Sequence, residues 1–115
     1  MTSVRGTVVV TVTQDLGDDA AAAIQSAVLD AVHAQGARRV VLDLTAVPFL
    51  DLREFDALRR VSRAAGLMGA STTMVGLGTG IILHLVEQGA DTSGIHAAAG
   101  LAEALEPASG DANGG

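Results

Sequence analysis

The spacing of apolar residues along this chain alternates between the two-residue rhythm of strands and the 3.6-residue rhythm of helices. Thr7 to Thr13 is β-branched at every position and predicts a strand, and Met1 to Arg5 adds a short edge strand ahead of Gly6. Gln14 to Asp19 reads as a turn that delivers acidic residues to a helix start, where they complement the helix dipole. Ile24, Ala27, Val28, Ala31 and Val32 then fall on one helical face, and Gly36 ends that helix. The run from Val40 to Leu44 is almost continuously apolar, the pattern of a strand buried on both faces.

Within a few residues the period changes. A helix is predicted over Arg53 to Leu67, burying Phe55, Leu58, Val61, Ala65 and Met68 and turning Arg53, Asp56, Arg59, Arg60 and Arg63 to water. Asp56 and Arg60, four apart, form a helix-stabilising pair in this reading. Asp51 is placed as the N-cap, and Glu54 three residues on completes a capping box. Ser71 to Gly76 is a further strand, and Gly78-Thr79-Gly80 leads into a third helix, Ile81 to Gln88, closed by Gly89. Asp91 to Gly94 is a turn, Ile95 to Ala97 a last strand, and Leu101 to Glu106 a short closing helix.

This order predicts an α/β fold. The sheet is mixed but mostly parallel, with four to five strands, about four helices lying mainly on one face, and right-handed crossovers. A single domain over residues 1–106 precedes a tail, 107–115, that has nothing to bury and is expected to be disordered. In open α/β sheets partners and ligands bind at the carboxyl ends of parallel strands, which makes residues 48–54 the first place to look for function.

Composition narrows the classes of chemistry. The chain is 49% hydrophobic yet holds only two Phe and no Trp or Tyr, so its core is aliphatic and it has little with which to stack bases or sugars. A net charge of -6 disfavours nucleic-acid phosphates and anionic membrane surfaces, and no apolar run approaches the roughly 20 residues of a span. With no Cys there is no disulfide scaffold, thiolate nucleophile or Cys-based metal site, and without a signal-peptide pattern the cytoplasm is the default. His33, His84 and His96 lie on separate elements without metal-ligand spacing, so neither metal nor cofactor is expected. Ser62 falls inside a helix with no His or acid nearby in sequence, and Asp43 reads as a polar residue where a strand leaves the core. The chain does not read as an enzyme.

Gly76-Leu77-Gly78-Thr79-Gly80 lies between a strand and a helix and offers Gly76, Gly78, Thr79 and Gly80 as an anion-binding loop. It lacks the Lys of a P-loop and the dinucleotide fingerprint, so a tight turn is the competing reading.

The segment Asp43-Leu44-Thr45-Ala46-Val47-Pro48-Phe49-Leu50-Asp51 resembles the STAS family, the anti-sigma factor antagonists and related domains. The hallmark of that family is a strand ending Asp-Leu/Ile-(Thr/Ser)-x-(Val/Ile)-x-x-(Ile/Val/Leu)-Asp before a phosphorylatable Ser or Thr at a helix start. Leu67-Met68-Gly69-Ala70, Val75-Gly76-Leu77 and Leu85 to Asp91 are most similar to the stressosome-scaffold branch of RsbS-like and RsbR-like proteins. The resemblance spans roughly residues 7–106. It implies a non-catalytic regulatory module that binds a GHKL-type serine kinase, an anti-sigma factor or homologous STAS proteins, in some cases within a large assembly. On this resemblance the phosphoacceptor position is Leu52, which has no hydroxyl, and a second acceptor position of the RsbR-like branch falls near His84. The implied partner-binding cluster is Asp51, Leu52, Arg53, Glu54 and Asp56. A small-ligand or anion-binding sensor is the alternative reading.

Overall fold

The computed structural model describes residues 1–4, 6–13, 17–92 and 95–98. Five strands form one sheet: β1 (Thr2–Val4), β2 (Thr7–Thr11), β3 (Arg39–Asp43), β4 (Ser71–Val75) and β5 (His96–Ala98). Three helices connect them: α1 (Asp18–Gln35), α2 (Leu52–Leu67) and α3 (Thr79–Glu87). The strands lie side by side in chain order, with β1 antiparallel to β2 and β2 to β5 all parallel. Right-handed crossovers between strands that always step in the same direction place all three helices on the same face.

Burial follows from that arrangement. Because side chains alternate across a strand, Val8, Val10, Val40, Leu42 and Met74 point to the helical face. There they share one core with Val28, Ala31 and Val32 of α1, Phe55, Leu58, Val61 and Ala65 of α2, and Leu85 of α3. Val9, Val41 and Val75, one residue out of phase, form a small separate cluster on the opposite face. β3 is therefore buried on both sides, as its continuous apolar run predicts.

Several expectations are corrected. Met68 is 42% exposed, not buried. It caps α2, and the chain reverses at Gly69, whose φ is +88°. The amides of Gly69 and Ala70 then donate to the carbonyls of Gly66 and Ala65, the paired bonds of a Schellman motif, so Ala70 rather than Met68 returns to the core. Arg59 does not face water. It is half-buried, its Nε 3.8 Å from Asp56 and its Nη1 3.2 Å from Asp91, so Asp56 pairs three residues on with Arg59 rather than four on with Arg60. α3 begins at Thr79, two residues before the predicted start, because Gly78 takes the N-cap conformation. The expected Gln14 to Leu16 stretch, the Leu101 to Glu106 helix and the tail lie outside the described residues.

Candidate functional site

The β3–α2 connection is built by four local devices. Leu44 extends the ladder, its amide donating to the Val75 carbonyl at 2.8 Å, and its side chain is fully buried. Asp43 then turns the chain: one carboxylate oxygen, Oδ1, accepts from both the amide of Thr45, at 3.0 Å, and its hydroxyl, at 2.6 Å. A bond from the Val47 amide to the Leu44 carbonyl closes the turn, and Val47 and Leu50 drop into the core while Pro48 and Phe49 stay outside. Asp51 finally opens α2 with the predicted capping box, its Oδ1 accepting from the Glu54 amide at 2.8 Å and its amide donating to Glu54 Oε1 at 3.0 Å. Leu50 before the cap and Phe55 four residues after it, both in the same core, occupy the positions of a hydrophobic staple.

Gly76 locks this turn from the neighbouring strand. Its φ is +86°, and a Cβ there would stand 2.6 Å from both the backbone nitrogen and the hydroxyl of Thr45. The close approach joins the Asp43-Leu44-Thr45 turn and the separate Val75-Gly76-Leu77 stretch as halves of one contact. It also changes the picture of the glycine loop. Gly76 is occupied by packing against Thr45, Gly78 is an N-cap without a side-chain capping bond, and Thr79 and Gly80 lie exposed in the first turn of α3.

Of the predicted cluster, Asp51 and Arg53 are exposed, whereas Leu52, Glu54 and Asp56 are half-buried. Leu52 is thus a partly sheltered apolar residue at the first position of α2. The carboxylates of Asp51 and Glu54 are engaged in the capping box, and that of Asp56 faces Arg59. His33, His84 and His96 stand on α1, α3 and β5, and no group of three His, Asp or Glu side chains fit to hold a metal occurs among the described residues. His84 instead meets Phe49, with ring centroids 5.4 Å apart and an interplanar angle of 53°.

That contact leads to residues the sequence pattern did not single out. Phe49, Ile82, Leu83 and Val86 are 54%, 39%, 58% and 57% exposed. The signal was present in Ile81-Ile82-Leu83-His84-Leu85-Val86, which is apolar around most of the helix instead of along one stripe.

Residues 1–104 match a family model described as the STAS domain. No curated protein matches the chain in sequence. Among solved structures it is similar to a variant of Moorella thermoacetica RsbS, with 23% identity over 97% of this chain and 95% of that one and a TM-score of 0.79. It is similar to a chain of the stressosome, a signal integration and transduction hub, with 23% identity, 96% of each chain covered and a TM-score of 0.80. The anti-sigma factor antagonist SpoIIAA, in its unphosphorylated form, matches at 15% identity over 100% of this chain and 96% of that one, with a TM-score of 0.64. At these identities the likeness is one of fold. No helix among the described residues is long and apolar enough to cross a membrane.

Proposed function

The chain belongs to the STAS domain family, and on that premise we propose that it is a non-catalytic regulatory module of the cytoplasm. Its partners in this reading are a GHKL-type serine kinase or anti-sigma factor, or homologous STAS proteins. It docks through Asp51, Leu52, Arg53, Glu54 and Asp56. The similarity to stressosome and anti-sigma antagonist structures supports the regulatory setting. The observation that carries the reading is Leu52: the residue directly after the Asp51 cap, where the family pattern has Ser or Thr, is an aliphatic side chain half open to solvent. A docking surface is retained while the hydroxyl that would switch it is lost.

The anion-sensor alternative is weakened by Gly76, whose place in the loop is filled by Thr45. Titration calorimetry against a GHKL-type serine kinase that acts on STAS proteins tests the docking reading. Full burial of a Leu side chain is worth about 1.5–3 kcal/mol. Since Leu52 is already half-buried, Leu52→Ser should cost about 1 kcal/mol, or roughly fivefold in affinity. Equal affinity of wild type, Leu52→Ser and Arg53→Ala, with the fold intact, would move the interface elsewhere.

A further inference from the structure

On α3, Ile81 and Leu85 turn inward, while Ile82, Leu83 and Val86 form an exposed ridge on the other side of the same nine-residue helix. Three large aliphatic side chains on the solvent side of so short a helix are more than scattered surface apolars, and together they offer on the order of a few hundred Å² of apolar surface. The outer side of the helical layer carries a counterpart. Between α1 and α2 lies an open groove of about 360 Å³ lined by the small side chains of Ala21, Ala22, Ser26 and Ala57, with the longer Gln25, Leu29 and Arg60 also at its walls.

The charges of the two features are complementary. Arg60 in the groove and Glu87, four residues after Leu83, are both exposed, and neither has an ion-pair partner among the described residues. A stable interface needs about 800 Å² from each partner, with an apolar centre and a polar rim. The ridge supplies such a centre and the Glu87–Arg60 pair part of such a rim. A ridge and a groove at different places on one chain make a heterologous contact, which leaves an open ridge at one end and an open groove at the other.

We propose that the occupant of the groove is the α3 ridge of a second copy of this chain, so that copies join head to tail. This rests on the assembly part of the functional reading above and adds the surfaces that would carry it. Head-to-tail joining predicts a mass that rises with concentration beyond that of a dimer.

Sedimentation velocity on three proteins tests it. Leu83→Glu breaks the ridge, Ala22→Arg fills the groove, and both sites are exposed, so the fold is retained and checked by circular dichroism. Each variant alone should associate at least about tenfold more weakly than wild type. An equimolar mixture has one intact ridge and one intact groove, and should form a 1:1 dimer that does not grow. A monomeric wild type, variants that associate like wild type, or a mixture that stays monomeric would each overturn the proposal. Kinase titration of the same variants separates the two readings. Retained kinase affinity in a wild type that does not self-associate removes only the head-to-tail contact, whereas an unaffected Leu52→Ser titration removes only the docking site.

Discussion

The contact between Thr45 and Gly76 fixes the exit of β3 and the exit of β4 with a single close approach. A side chain at position 76 faces two costs. Its φ of +86° is unfavourable for any residue with a Cβ, and the added atom would meet backbone at 2.6 Å, where no rotamer change can relieve it. Gly76→Ala should therefore lower stability by about 2–4 kcal/mol in urea denaturation, whereas Gly78→Ala, with nothing within 4 Å of the added atom, should cost no more than the roughly 1 kcal/mol of an alanine at an N-cap. Equal stability of the two variants would show that the Thr45 contact is not a constraint. In sequence, both glycines fall in one loop and suggest one role. Spacing alone does not distinguish a glycine needed for its backbone angle and clearance from one that opens a helix.

Among the elements, α2 is the most readable from sequence, and its N-cap is legible to the residue. Asp51 and Glu54 sit at capping-box spacing and a one-sided apolar stripe follows, so local propensity and tertiary burial agree. Asp51→Ala removes the acceptor for the Glu54 amide and should cost about 1 kcal/mol of stability, measured as a lowered midpoint of thermal or urea unfolding. An unchanged midpoint would mean that water replaces the carboxylate at no net cost. The end of the same helix is less legible. Met68 continues the apolar rhythm, but the Schellman reversal at Gly69 takes the chain off the helical path first. α3 is harder still. Apolar residues almost all around it leave periodicity unable to say which side faces the core, so its exposed ridge emerges only from the packing of Ile81 and Leu85.

At the scale of the whole molecule, strand order equal to chain order is what brings the candidate site together. The β3–α2 turn and the Gly76 corner emerge at the same carboxyl end of the sheet because β3 and β4 are parallel neighbours, and Phe49 meets His84 of α3 there. The class of fold is legible because the alternation of strand and helix periods admits few topologies. A contact such as that of Thr45 with Gly76, between residues far apart along the chain, has no local signature. The central claim, that position 52 is a switch site without its hydroxyl, is tested most directly by incubating wild type and Leu52→Ser with ATP and a GHKL-type serine kinase that phosphorylates STAS proteins and mapping phosphate by mass spectrometry. Three of the nearer hydroxyls are poorly placed for transfer, since Ser62 and Thr72 are buried and the Thr45 hydroxyl donates to Asp43, whereas Thr79 is exposed at the start of α3 and is the competing acceptor to watch. The predicted result is an unmodified wild type and one phosphate at residue 52 of Leu52→Ser. Stoichiometric phosphate on the wild type at Thr45, Ser62, Thr72, Thr73 or Thr79, or a Leu52→Ser protein that the kinase leaves unmodified, would contradict it.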